Sequence, residues 1–324
     1  MNFWKKLKNK NGPALRLGGP ILALAPMANV TDTAFRQIIA KYGKPDVMFT
    51  EFVSCDGLCS KGKKNILPIL KYSEKERPIV AQVFGAKPEN FYESAKIIKK
   101  LGFDGIDINM GCPDKKVLKQ GAGAALINNP KLAQEIIRQT KRGSGNLPIS
   151  IKTRIGYDKY DKKEFKNWLM ALLEEKPAVI TIHGRTKKEM SLAPANWDII
   201  AEAVKIRNKF DSSENHTLIL GNGDVKSVAD AEEKAKMSCV DGVMIGRAIF
   251  GNPWLFYRSR ESPSLKLSVL LEHAKLFEKI NKGKKFDVMK KHFKSYVARF
   301  PAAKELRIKL MACQNTKEVE KIML

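Results

Sequence analysis

A chain of 324 residues that is 44% hydrophobic can bury a large core, and no apolar run in it approaches the roughly 18 residues a membrane helix needs. Its 59 Lys and Arg against 34 Asp and Glu give a net charge of +25, a field that suits polyanionic partners; the plain alternative is a lysine-rich composition shared by a whole proteome. Five scattered cysteines, Cys55, Cys59, Cys112, Cys239 and Cys313, exclude a fully paired disulfide framework and form no CxxC zinc spacing, so reduced thiols in a cytoplasm are expected.

The basic stretch Met1–Lys10 followed by apolar Ile21–Ala28 has the outline of a secretion signal, but a polar gap separates the two and the apolar run is short. Ile21–Ala28 therefore reads as the first strand. Further strands are expected at Val47–Phe52, Ile79–Phe84, Gly105–Asn109, Ile149–Thr153, Val179–His183, Leu218–Gly221 and Gly242–Ile245. A helix opening at Thr31-Asp32-Thr33 has good capping residues, and others are expected near 88–101, 130–141, 163–175, 195–208 and 226–236. Continuous apolar strands alternating with helices indicate a parallel sheet, and eight such units in about 250 residues fit an α/β fold of the (β/α)8 TIM-barrel type. After Trp254 the strands stop, and 264–281, 285–300 and 302–321 read as helices. The expected organisation is a catalytic barrel over 1–256 and a small all-α helical domain over 257–324. That tail carries 17 basic and 7 acidic residues.

Unusual polar residues gather at the C-terminal ends of the strands. Pro26 and Met27 end strand one, Gln82 lies in strand three, and Asn109 and Cys112 end strand four. Lys152 and Arg154 end strand five and His183 and Arg185 strand six, while Asn222-Gly223-Asp224 follows strand seven and Gly246-Arg247 strand eight. Barrel active sites lie on that face. Gly221, Gly223 and Gly246 allow close backbone approach and Arg247 adds a fixed charge, which suits a phosphate-bearing cofactor or ordinary turn chemistry. Lys152 interrupts an apolar strand: it is a Schiff-base lysine, a cation beside an anionic ring, or the partner of an acid such as Asp107. Gln82 can both donate and accept, as a ring imide requires. His183 is a ligand contact or a satisfied core histidine, and no metal site is expected because no second ligand lies at the right spacing. Gly121–Leu126 lacks the third glycine of a dinucleotide fingerprint and reads as a loop leading into a helix. Cys55 and Cys59 read as packing residues. Phe293, Tyr296, Val297 and Phe300 have helical spacing that suits a core, with base stacking the alternative. Lys290, Lys291 and Lys294 lie on another surface, suited to phosphates.

Together these motifs resemble the tRNA-dihydrouridine synthases, of the bacterial B-type branch. The resemblance rests on APMANVTDTAFR (25–36), TEFVSCDGL (50–58), AQVFG (81–85), DINMGCPDKKVLKQGAGAALINNP (107–130), IKTRIG (151–156), HGRT (183–186), GNGDV (221–225), DGVMIGRAIFGNPWLF (241–256) and KKHFKSYVARFPAAKELR (290–307). It spans nearly the whole chain. The cysteine motif with its glycine-rich sequel is the specific part; HGRT and GNGD are shared with other FMN barrels.

The resemblance implies an FMN-dependent oxidoreductase that takes tRNA as its partner, with NADPH or NADH as transient reductant. It implies that Pro26, Met27 and Ala28 line the flavin, that Gln82 binds its ring edge, and that Lys152 stabilises negative charge on the reduced ring. His183 would contact the flavin or its phosphate side, while Asn222, Gly223, Asp224, Gly246 and Arg247 would hold ribityl and phosphate groups. Cys112 would be the proton donor, Asn109 and Arg185 would face the uracil, and Lys290, Lys291 and Lys294 would meet the RNA. A cytoplasmic monomer with no stable protein partner is the implied setting. Two departures stand out: Lys187–Pro194 replaces the aromatic or glycine usual after HGRT, and Ala302 stands where a glycine is common. The enzyme rival is an FMN barrel like dihydroorotate dehydrogenase, which has no need of a basic tail; the non-enzyme rival is an RNA-binding barrel without chemistry, against which Cys112, Lys152 and His183 all stand.

Overall fold

The computed structural model describes residues 2–9, 19–213, 216–257, 263–298 and 301–323. A short helix α1 (Phe3–Asn9) precedes the barrel, whose staves alternate with helices along the chain. The elements run β1 (Ile21–Leu24), α2 (Thr33–Tyr42), β2 (Met48–Phe49), β3 (Val53–Ser54), α3 (Cys55–Leu58), α4 (Lys63–Ile66), β4 (Ile79–Phe84), α5 (Pro88–Lys100), β5 (Gly105–Met110) and α6 (Lys115–Leu118). They continue with α7 (Pro130–Ser144), β6 (Ile149–Arg154), α8 (Lys162–Glu174), β7 (Val179–His183), α9 (Trp197–Phe210), β8 (Leu218–Asn222), α10 (Val228–Ser238) and β9 (Gly242–Ile245). Every strand pairing is parallel. The order β1-β9-β8-β7-β6-β5-β4-β2 closes through a parallel bridge between Ala23 and Val47, so the sheet is a barrel.

The expected strand Val47–Phe52 is one stave in two pieces. β2 and β3 both pair with β4, and between them the Gln82 N–H donates to the Thr50 hydroxyl at 3.1 Å. A side chain thus takes over one rung of the ladder, which apolar patterning does not register.

Side chains alternate across each stave. One set (Val80, Val179, Leu218, Leu220 and Met244, with Phe49 and Ala23) packs together as a core, and Trp4 of α1 joins it, fully buried. The Lys8 ammonium, 2.9 Å from Asp241, holds α1 against the residues just before β9. The other set packs under the surrounding helices in a larger core. Toward the C-terminal ends the same face turns polar: Gln82 lies two places on from Val80, Asn222 two places on from Leu220, and His183 four places on from Val179.

The first helix after β1 is pinned by a satisfied buried ion pair. The Arg36 Nε lies 2.6 Å from the Glu76 carboxylate, both side chains fully buried. Arg36 also donates to the carbonyls of Thr31 and Lys71, and Glu76 accepts from Thr33 and from the Ser73 N–H.

Beyond the barrel lie α11 (Pro263–Ile280), α12 (Lys290–Tyr296), α13 (Ala303–Ala312) and α14 (Thr316–Met323), with no strand among the described residues after β9. The expected helix 302–321 is two helices, because the Asn315 side chain accepts from the Glu318 N–H at 3.0 Å and starts a new one. The expected helix 285–300 is a single 3-10 turn, Phe286–Met289, followed by α12. Phe293, Tyr296 and Val297 are fully buried, so they form core and are closed to base stacking; Phe300 lies outside the described residues. Their cluster extends into the barrel through Ala34, Ile38 and Trp254. Asn281 and Lys284 tie the same helices to Asp32 and Glu51 at the barrel rim. Ala302 precedes α13 at φ 60°, a left-handed conformation that accounts for a glycine being common there. Among the described residues no helix is long and apolar enough to cross a membrane.

Candidate active site

The C-terminal ends of β6 to β9 surround a cavity of about 360 Å³. Of the residues expected at a cofactor site, Pro26, Met27, Lys152, His183, Asn222, Gly223, Asp224, Gly246 and Arg247 line it, as does Arg185. Ala28 is exposed and Gln82 fully buried, and neither lines the cavity. Sequence reasoning left further wall residues unassigned, among them Arg154, Pro113, Met190 and Ser191. Arg154 stood in plain sight at a strand end. The other three come from loops whose course no periodicity reveals.

Local sequence explains the shape of the wall. Gly223 has φ 126°, and a Cβ there would fall 2.6 Å from Ala195 and 3.0 Å from His183. A Cβ on Gly221 would sit 2.3 Å from the Trp197 ring. A Cβ on Gly246 would make only ordinary contacts, 3.6 Å to Ala25 and 3.8 Å to Met27, so this glycine is not crowded by the protein. Such bare backbone suits close approach by a ligand.

Positive charge dominates the cavity. Burial, followed by the neighbouring Arg154, lowers Lys152 from its ordinary 10.5 to about 8. Its Nζ donates to Asn222 Oδ1 at 3.1 Å, and Asn222 Nδ2 donates to the Met244 carbonyl at 2.8 Å, which fixes the amide orientation. Burial and then Lys152, Arg154, Arg185 and Arg247 push His183 down to about 2, so its imidazole is neutral. Asp224 answers two of these cations, pairing with Arg185 and with Arg247 at 2.7 Å. Burial pulls its carboxyl upward, but the bonds from Arg185 and the Ala195 N–H hold it below the usual range.

Arg185 was expected toward a substrate. Its guanidinium is buried, bonded to Asp224 and the Ala193 carbonyl, with His183 Nε2 3.3 Å away. Arg154 likewise donates to the Gly111 carbonyl at 2.7 Å and the Thr186 carbonyl at 3.0 Å. These two arginines tie the divergent 187–194 segment and the cysteine loop to the barrel.

Cys112 is half-buried on the loop after β5. Burial raises its thiol, against a hydrogen bond from the Asp114 backbone and the charges of Arg154 and Lys152. It is therefore a protonated thiol at neutral pH, with cations at hand for the thiolate. Asn109, expected toward a substrate, is 7% exposed and turned inward. Its Oδ1 accepts from the Gly111 and Cys112 N–H groups at 3.1 and 2.9 Å, and its Nδ2 donates to Gln82 Oε1 at 3.0 Å. The glycine-rich sequel packs on the cysteine: Ala124 N–H donates to the Cys112 carbonyl at 3.1 Å, and a Cβ on Gly123 would lie 2.8 Å from that oxygen.

Two other sets of residues lie off the wall of this cavity. On α12, Lys294 is exposed and Lys291 half-buried, while Lys290 is 2.5 Å from Asp287. Cys55 is buried as a packing residue should be, but Cys59 is exposed. Among the described residues no group of His, Cys, Asp and Glu is arranged to hold a metal.

Comparison with known proteins gives one consistent answer. The family model described as dihydrouridine synthase matches residues 23–324. A "probable tRNA-dihydrouridine synthase" of Staphylococcus aureus (strain COL) is 41% identical over 99% of this chain and 94% of its own length. "Probable tRNA-dihydrouridine synthase 2" of Bacillus subtilis (strain 168) is 38% identical over 99% of this chain and 95% of its own. Among solved structures, the old yellow enzyme homologue from Zymomonas mobilis matches at TM-score 0.52 and 12% identity, over 74% of this chain and 87% of that one. Histamine dehydrogenase from a Rhizobium species matches at TM-score 0.57 and 13% identity, over 79% of this chain and 49% of that one. The two structures share the barrel fold, and the family match covers almost the whole sequence: the chain belongs to the dihydrouridine synthase family and is an oxidoreductase.

Proposed function

We propose that this enzyme reduces a uridine of tRNA to 5,6-dihydrouridine, using FMN reduced in turn by NADPH or NADH. One observation carries the reading. A cavity with neutral His183 and a ring of cations adjoins a loop whose thiol burial keeps protonated.

The residues fit an anionic, flat cofactor. Arg247 and the bare backbone of Gly223 and Gly246 would hold the phosphate and ribityl chain, with Asn222 and Asp224 beside them. Pro26, Met27 and Met244 give an apolar wall for a ring, and Lys152 supplies positive charge to an electron-rich one. Gln82 and Ala28, which do not line the cavity, would take part less directly. The chemistry FMN supplies when bound there is hydride transfer.

The chain's own work is to place the uracil and to move one proton. As hydride reaches uracil C6, negative charge builds at C5, and Cys112 Sγ–H protonates that carbon. The resulting thiolate is stabilised by the Asp114 N–H and by the charges of Arg154 and Lys152, then regains a proton from solvent. A positioned acid contributes roughly 10²–10⁴ in rate. The base must leave its stack to reach the cavity. The +25 charge and exposed basic groups such as Lys294 would hold the RNA, with Lys291 and Lys290 contributing beside it.

The test is direct. Purified protein should show a flavin spectrum, release FMN on denaturation, and form dihydrouridine in unmodified tRNA when given NADPH. Colourless protein that takes up no FMN, or flavoprotein that leaves tRNA untouched, overturns the proposal.

A further inference from the structure

We propose that Asp107 is the positioning residue of the Cys112 loop, acting through the side-chain amides of Gln82 and Asn109. The inference rests on Cys112 being the proton donor and concerns how that donor is held.

The links are continuous. Asp107 Oδ2 accepts from Gln82 Nε2 at 2.7 Å, Gln82 Oε1 accepts from Asn109 Nδ2 at 3.0 Å, and Asn109 Oδ1 accepts from the Gly111 and Cys112 N–H groups. An amide has one donating and one accepting end, so each could point either way in isolation. Here the two ends of the relay remove that freedom. A carboxylate only accepts, and backbone N–H groups only donate, so both amides between them have one satisfactory orientation. Asp107 and Gln82 are fully buried and Asn109 nearly so, which leaves bulk water little part in the relay. Ser150 Oγ, 2.6 Å from Asp107 Oδ1, stops the carboxylate from rotating.

Asp107 also interacts with the charge on Lys152, so a purely electrostatic role is the competing account. Two substitutions separate them. Asp107→Ala removes both charge and acceptor. Asp107→Asn removes the charge but keeps an oxygen for Gln82, because the Ser150 hydroxyl can turn to accept from the new amide. The difference between the two variants reads the hydrogen bond alone.

The measurement is the alkylation rate of Cys112 by iodoacetamide in the full-length protein, followed by site-resolved mass spectrometry, with exposed Cys59 as the internal reference. Loosening the loop should speed Cys112 alkylation at least fivefold in D107A and leave D107N within twofold of wild type. Gln82→Met cuts the relay while sparing the carboxylate and should match D107A, which keeps the test alive if D107A does not fold. In the tRNA assay, D107A should lower kcat at least tenfold with KM for tRNA within twofold. Equal alkylation rates in D107A and D107N, or an unchanged Cys112 rate in both D107A and Q82M, overturn the proposal. A wild-type protein that makes no dihydrouridine would overturn the functional reading instead, while the alkylation comparison would still decide the positioning role.

Discussion

Lys152→Met should make the cofactor-free protein more stable while abolishing its activity. The Lys152 ammonium is held at about 8 in the fold against an ordinary 10.5. Between those values the unfolded chain binds more protons than the folded one, so stability rises with pH through that window, and the full cost of burying the charge is present below pH 8. A difference of 2.5 units corresponds to about 3 kcal/mol at 1.36 kcal/mol per unit. Lys152 lines a cavity, and water entering it relieves part of this cost, so a gain of about 1–3 kcal/mol is expected at pH 7. For a chain of 324 residues that is a rise in Tm of roughly 1.5–4 °C. The assay is thermal or urea unfolding of wild type and K152M at pH 7 and again near pH 10, where the advantage should shrink. A K152M protein less stable than wild type at pH 7 would refute the reasoning. It would mean that the bond to Asn222 and the attraction to Asp107 outweigh desolvation, and that the lysine is structural.

Glu76→Ala should cost about 3–5 kcal/mol, seen as a lower urea midpoint, because it strands the fully buried Arg36 guanidinium; an unchanged midpoint would show that water reaches it. Gly123→Ala should lower the rate of dihydrouridine formation at least tenfold without releasing flavin. Gly123 has φ 62°, and its new Cβ would press on the Cys112 carbonyl and on Val117 Cγ1, each at 2.8 Å. Wild-type kinetics in that variant would mean the cysteine loop needs no fixed geometry.

Much of the barrel was legible because its signals are local. Ile79–Phe84, Val179–His183 and Gly242–Ile245 are strands over the expected residues, since continuous apolar runs between helices have few other uses. What escaped was decided by single side chains acting on backbone. Thr50 breaks the second stave, and Asn315 splits the last predicted helix. The second of these left a trace: Asn315 three residues before Glu318 is a capping pattern. The site divides in the same way. Alternation and strand-end position placed Lys152, His183, Asn222 and Arg247 on one wall. Whether Asn109, Arg185 and Gln82 point into the cavity or brace it depends on partners from other strands, and nothing in a linear pattern encodes that. Asp107 was visible as a charge inside an apolar strand, but its link to Cys112 exists only once β4, β5 and β6 are side by side.

The central claim is that the Cys112 thiol delivers the proton that completes uridine reduction. Cys112→Ala tests it by comparing flavin content, flavin reduction by NADPH and dihydrouridine formed in tRNA. The variant should keep its flavin and its reduction by NADPH while product formation falls by about 10² or more. A C112A enzyme that makes dihydrouridine at the wild-type rate would contradict the account.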